Sequence, residues 1–178
     1  MSVVSHLRQR EEEGPLIIYI TTAANDKDLV AHFGDRGITA PIPFGDMIFR
    51  GVWTEGEPIS ALVERKHLLD LLACINDHRH LEQIRGARQA GFNPVFLVVE
   101  GKFRKGPDGD VEVFGKGKYW GTGFDYGRLE SYILELGIYA GVQTFWTRTA
   151  AETVNQVLKV YDLLQLPPEE HSSITGFF

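Results

Sequence analysis

Residues 59–66 read Ile-Ser-Ala-Leu-Val-Glu-Arg-Lys, and His-Leu-Leu-Asp-Leu-Leu-Ala-Cys-Ile-Asn follows at residues 67–76. The first five residues are mostly apolar and partly β-branched, which predicts a buried strand. The leucines that follow recur at helical spacing and predict a helix with a broad apolar stripe. The charged residues Glu64, Arg65 and Lys66 therefore lie between a buried strand and a packed helix, where a solvated charge cluster is unusual.

The length, net charge and cysteine content of the chain limit the class of protein that it can be. The chain has 178 residues, enough for one domain with a sizeable core. Its net charge of −6 argues against a surface coated in basic charge, but clustered carboxylates that a metal neutralises remain compatible with a DNA substrate. The single cysteine, Cys74, excludes an internal disulfide and is expected to be a small core residue.

The same sequence carries no apolar run long enough to cross a bilayer and no signal-peptide pattern at its start. An intracellular protein without membrane contact is therefore expected. It would be cytoplasmic in a bacterium or virus and nuclear in a eukaryote.

Apolar strands alternate with helical patterns along the rest of the chain. Residues 38–43 contain two prolines, which predicts an extended edge segment. The alternation favours an α/β fold with a mixed central sheet flanked by helices, in which an early meander precedes parallel crossovers. Strands are predicted at 16–20, 44–53, 94–100 and 142–146, and helices at 25–33, 67–76, 81–90, 126–140 and 149–166.

The strands at 44–53 and 59–63 flank a turn and predict an antiparallel hairpin. Neighbouring strands lie about 4.8 Å apart, so the hairpin can bring Asp46 across from Glu64. Magnesium is held in proteins by one or two carboxylates, a role that suits this pair. Lys66 shares the strand face of Glu64 and could orient the attacking water or stabilise phosphate charge. Arg65 points to the other face, where it could hold a carboxylate such as Asp70, or a phosphate.

The motif Gly45-Asp46, then Glu64-Arg65-Lys66 and Asp70, resembles the Gly-Asp-Xn-Glu-Arg-Lys-X3-Asp signature of the XPF-type structure-specific endonucleases. The resemblance covers roughly residues 16–166. It implies a restriction-endonuclease-like core of the PD-(D/E)XK superfamily that cuts branched, flapped or junction DNA in repair or recombination, with Mg²⁺ or Mn²⁺.

Residue roles follow from the same resemblance. By position, Asp46 and Glu64 would bind the metal, and Arg65, Lys66 and Asp70 would complete the catalytic site. Arg79 falls in the family's Asp-Gly-Arg turn and would contact DNA. Relatives pair through this domain, so a homodimer or heterodimer is expected.

The chain departs from the family pattern after its first strand. Thr21-Thr22 stands where relatives often carry an acidic residue, so a ligand would have to come from elsewhere, for example from Glu100. His78 replaces a glycine, and no tandem helix-hairpin-helix domain is found. Two alternatives stay open: an inactive or weakly active nuclease-fold subunit for DNA binding or assembly, and a resolvase- or restriction-type nuclease without junction-specific flap cutting.

Residues 101–123 form an insertion rich in glycine, basic and aromatic residues. A turn signal at 107–110 between two short strands predicts a protruding hairpin or flap. Phosphate contact and base stacking would suit this composition, and so would a surface hairpin whose aromatic residues pack on the body. The candidate DNA-binding residues here are Lys102, Arg104, Lys105, Lys116 and Lys118.

Three segments are therefore predicted: an N-terminal arm at 1–15, the nuclease domain at 16–166 and a tail at 167–178. The tail ends in Phe177-Phe178 and either docks on a protein partner or folds back on its own domain. His78 and His80 flank Arg79 without a third ligand, which indicates surface residues rather than a zinc site.

Overall fold

One parallel strand of the fold, β5 (Val95–Glu100), is buried along its whole length of six residues. The computed structural model describes residues 17–22, 27–52, 57–77, 79–167 and 170–171. The predicted arm at 1–15 and the Phe177-Phe178 end of the tail lie outside the described residues, as does His78. Within the described ranges, no helix is long and apolar enough to cross a membrane.

A six-stranded mixed sheet runs in the order β2-β1-β3-β4-β5-β9. Strand β1 pairs in parallel with β2 and antiparallel with β3, which pairs antiparallel with β4. Strand β5 is parallel to both β4 and β9, so the predicted mixed sheet is confirmed. The other strands of this sheet are β1 (Ile18–Thr21), β2 (Gly37–Ala40), β3 (Met47–Val52), β4 (Pro58–His67) and β9 (Val142–Thr147).

Helices cover both faces of the sheet and enclose two apolar cores. One core joins the sheet to α2, α3 and α4 and includes Leu62, Leu97 and Leu71. The other joins it to α1 and α5 and includes Val63, Phe96 and Val157. The helices are α1 (Lys27–Phe33), α2 (Leu68–Asp77), α3 (Arg79–Gln89), α4 (Tyr126–Ala140) and α5 (Ala150–Leu163).

The 101–123 insertion is a small antiparallel sheet of three strands rather than a two-stranded flap. Val111 and Val113 are buried in the core beneath α4, so the insertion packs on the body along one face. Its last strand also continues past residue 123 to the residue before α4. The strands are β6 (Phe103–Lys105), β7 (Asp110–Gly115) and β8 (Lys118–Asp125).

The start of α5 agrees with the sequence pattern, whereas the burial of Cys74 does not. The Thr149 side chain accepts a hydrogen bond from Glu152 N and caps α5, which starts where the sequence pattern predicts. Cys74 is only partly buried. Tyr139 on α4 is 84% exposed. It lines an open groove between α3 and α4 instead of packing against a neighbour.

Candidate active site

Gly45 bends the chain so that Asp46 meets β4. Its φ is +66°, and an added Cβ would lie 3.0 Å from both the Leu62 side chain and the Val63 carbonyl oxygen. Glycine alone fits this turn without strain. For this reason β3 begins at Met47 rather than at the predicted residue 44.

Asp46 is held between two strands. Its backbone N–H donates to Val63 O at 3.0 Å, and its carbonyl accepts from Thr21 N at 2.8 Å. Its side-chain Oδ2 accepts from the Arg65 backbone N–H at 2.6 Å. Met47 pairs with Val63, which places Asp46 opposite Glu64 as predicted.

Glu64 and Lys66 lie on the face of β4 that carries Leu62 and looks toward α2 and α3. Lys66 Nζ donates to Glu64 Oε1 at 2.6 Å, which confirms that the two side chains share a face. Burial lowers the pKa of Lys66, but its hydrogen bond and ion pair with Glu64 outweigh that effect, so the pKa is raised. Lys66 therefore carries a positive charge at neutral pH.

Arg65 points to the opposite face and holds Glu100 at the end of β5. Its Nε donates to Glu100 Oε2 and its Nη2 donates to Glu100 Oε1, both at 3.1 Å. Both side chains are largely buried, with 8% of Arg65 and 10% of Glu100 exposed. Asp70 is therefore not the carboxylate that Arg65 holds, which corrects that prediction.

Threonine hydroxyls complete this buried cluster. Thr153 Oγ1 on α5 donates to Glu100 Oε2 at 2.8 Å, and Thr147 Oγ1 lies 2.7 Å from Thr153 Oγ1. Because Glu100 lies on the α5 side of the sheet, it does not join Glu64 as a metal ligand. Its side chain instead contacts Arg65, whose backbone N–H binds Asp46. In the sequence, the position of Glu100 at the end of a wholly apolar strand could have indicated this contact.

The remaining predicted site residues are dispersed. Asp70 is exposed in the first turn of α2 and forms no hydrogen bond or ion pair with another described residue. Arg79 begins α3, but its side chain lies outside the described residues. The five basic residues of the insertion are all exposed, and their DNA-binding role stays a prediction.

His80 is fully buried, which corrects the prediction that it is a surface residue. Helix α3 starts one residue before it and turns the ring inward, where Nδ1 lies 2.8 Å from Tyr132 Oη. Its Nε2 has no hydrogen-bond partner in the described part of the chain. Burial and the nearby positive charge of Lys66 lower the pKa of His80 to about 4.

We expect this histidine to make the fold sensitive to acid. Because the folded state binds its proton only near pH 4, whereas an unfolded histidine does so near 6.5, its contribution to stability is lost as the pH falls between these values. The loss amounts to about 3 kcal/mol. Urea unfolding from pH 7.5 to 4 should show a shallower decline for His80→Gln than for the wild type.

Replacement of the exposed His32 by glutamine provides the matched control and should leave the wild-type decline in place. A decline of equal steepness in His80→Gln and the wild type would contradict the assignment.

The carboxylates of Asp46 and Glu64 suit a cation that needs few protein ligands. Within the described ranges no three His, Cys, Asp or Glu side chains converge as a metal cage. Asp46 and Glu64 lie opposite each other and each supplies a carboxylate, and magnesium accepts one or two carboxylates with water completing its shell. Thr21 lies beside Asp46 but brings no carboxylate.

A model of the ERCC4 domain matches residues 25–160, which include Asp46 and the Glu64-Arg65-Lys66 triplet. The chain belongs to the ERCC4 domain family, and the predicted resemblance to XPF-type nucleases is confirmed. No curated protein sequence matches the chain.

Solved structures share the fold. XPF from Aeropyrum pernix is 18% identical with a TM-score of 0.59, and the match covers 82% of this chain and 60% of that one. XPF from Aeropyrum pernix in complex with DNA is 19% identical with a TM-score of 0.59, and that match covers 84% and 64%. This chain therefore spans about three fifths of the length of those structures and has the XPF nuclease fold.

Proposed function

We propose that this chain is a divalent-metal-dependent DNA endonuclease that hydrolyses phosphodiester bonds at branched, flapped or junction DNA. The observation that carries the proposal is the placement of Asp46 opposite Glu64, with Lys66 bonded to Glu64 on the same face. Such a substrate would imply a role in DNA repair or recombination. The protein would then be located in the compartment that contains the cellular DNA.

Asp46 and Glu64 would hold Mg²⁺ or Mn²⁺. When bound, such an ion neutralises phosphate charge and activates water. Glu64 Oε2 makes no hydrogen bond to any other described residue, which leaves a carboxylate oxygen for this purpose. Asp46 is oriented by the Arg65 backbone, so its position depends on β4.

Lys66 would supply the second positive charge at the phosphate. Its raised pKa keeps it protonated, so it would stabilise charge that develops on phosphate oxygen during hydrolysis. Arg65 would serve as a positioning residue because its Nε and one terminal guanidinium nitrogen both bond Glu100. We propose Arg79 and the basic residues of the insertion as phosphate contacts and assign Asp70 a supporting role near the start of α2.

A second candidate function is a nuclease-fold subunit that binds or assembles on DNA without cutting it. The observation behind it is Thr21, which stands beside Asp46 where relatives often carry an acidic residue. A resolvase- or restriction-type nuclease without junction preference is the remaining alternative.

Cleavage assays separate these functions. Labelled flap, fork, four-way and linear duplex substrates are incubated with Mg²⁺, Mn²⁺ or EDTA. We expect metal-dependent cutting of branched substrates, which Glu64→Gln and Lys66→Met each reduce at least about 100-fold, since the first weakens the metal site and the second removes a positive charge at the phosphate. Glu57→Gln, which neutralises an exposed carboxylate just before β4, should cut like the wild type.

Three other outcomes would change the assignment. Binding without cutting in every metal supports the assembly subunit. Equal cutting of all substrates removes the junction preference. Undiminished cutting by Glu64→Gln contradicts the assigned site.

We also propose that the domain pairs with a second copy or with a related chain. Strand β9 ends the main sheet, and beside it α4 carries two strongly exposed apolar residues, Leu134 at 63% and Ile138 at 71%. Leu134 lines an apolar groove of about 540 Å³ with Trp146 of β9. Exposed apolar patches of this kind mark interaction surfaces.

Light scattering after gel filtration tests the pairing. We expect the wild type to be dimeric and the Leu134→Asp, Ile138→Asp double variant to be monomeric, because charges would be buried at the interface. Leu163→Asp alters a similarly exposed leucine on α5 and should leave the dimer intact. A monomeric wild type would rule out the homodimer.

A further inference from the structure

The small sheet presents a distinct outward face. Phe103, Val113 and Trp120 are directly paired across its strands, and Val113 is buried against the body. Since successive residues of a strand alternate between faces, the neighbours of these residues lie on the opposite side. The resulting outward face consists of Lys102, Arg104, Glu112, Phe114 and Tyr119.

Cations and rings alternate on this outward face. Lys102 Nζ lies 5.4 Å from the centre of the Phe114 ring, and Arg104 Cζ lies 4.2 Å from that of Tyr119. The two rings meet edge to face with centroids 5.2 Å apart. Phe114 remains 42% exposed although it lies within a sheet.

Charge on the insertion contrasts with the rest of the chain. Residues 101–123 carry five basic and three acidic side chains, whereas the whole chain has a net charge of −6. Among the described residues, the Glu112 side chain accepts one hydrogen bond, from Arg104 Nε at 2.6 Å. The two terminal guanidinium nitrogens of Arg104 form no hydrogen bond with another described residue.

A polar cavity continues from the outward face toward the main sheet. It has a volume of about 640 Å³ and is lined by Lys102, Tyr119, Arg148 and Thr147, among others. Thr147 ends β9 and accepts a hydrogen bond from the Gly101 backbone at 2.8 Å, beside the end of β5. In α/β sheets, ligands bind beyond the carboxyl ends of the parallel strands.

We propose that the outward face binds the single-stranded arm of a branched DNA substrate. Exposed rings and a guanidinium plane stack on unpaired bases, and adjacent cations contact the backbone phosphates. A duplex keeps its base faces stacked, so it cannot use these rings. The inference rests on the proposed function and adds that the insertion recognises single-stranded rather than duplex DNA.

Fluorescence anisotropy with labelled oligothymidine of about 20 nucleotides, in EDTA, tests binding apart from cutting. We expect Phe114→Ala and Phe114→Leu each to raise the Kd about tenfold, since both remove the ring and the leucine keeps apolar volume. Trp120→Ala removes a ring that is 43% exposed on the other face and should change the Kd less than about twofold.

Salt dependence gives an independent readout. Arg104→Gln should reduce the slope of log K against log salt by about 0.7, the value for one phosphate contact on a single strand. Circular dichroism of each variant verifies its folding.

The inference is overturned if Phe114→Leu binds oligothymidine like the wild type, if Trp120→Ala weakens binding equally, or if a duplex of equal length binds as tightly. A wild type that cuts branched DNA without binding oligothymidine also overturns it while leaving the nuclease assignment intact. Wild-type binding that Phe114→Leu abolishes, without cutting in any metal, supports this face and refutes the nuclease.

Discussion

The buried ion pair between Arg65 and Glu100 joins β4 to β5 directly behind the candidate active site. Two hydrogen bonds from one guanidinium fix both side chains, and Thr153 adds a third bond to the carboxylate. Removing one partner of such a pair typically costs about 3–5 kcal/mol, because the other charge stays buried without compensation. The position of β4 therefore depends on this contact.

Because successive residues of a strand point to opposite faces, this contact is linked to the face that carries Glu64 and Lys66. Arg65 uses its side chain on one face and its backbone N–H to hold Asp46, while Glu64 and Lys66 on either side of it point to the other face. A shift of β4 would move all of these groups together. The Glu-Arg-Lys order thus places the buried Arg65 between Glu64 and Lys66, the two candidate catalytic residues of this strand.

Local pattern was sufficient to predict most of the elements and the placement of Asp46 opposite Glu64. The apolar run before Glu64, the hairpin to Asp46 and the mixed sheet were all predicted and are confirmed. Contacts between distant segments were not. The carboxylate held by Arg65 lies 35 residues away in the sequence, and the Tyr132 hydroxyl that bonds His80 lies 52 residues away. Periodicity also does not say how many strands a glycine-rich insertion forms.

Calorimetric titration with Mn²⁺ tests most directly the claim that Asp46 and Glu64 hold a cation that the Arg65–Glu100 pair positions. The account predicts one ion bound per wild-type chain, binding lost in Glu64→Gln and weakened about tenfold in Glu100→Gln, since supporting residues typically change affinity 10- to 100-fold. Wild-type Mn²⁺ binding by Glu64→Gln would contradict it.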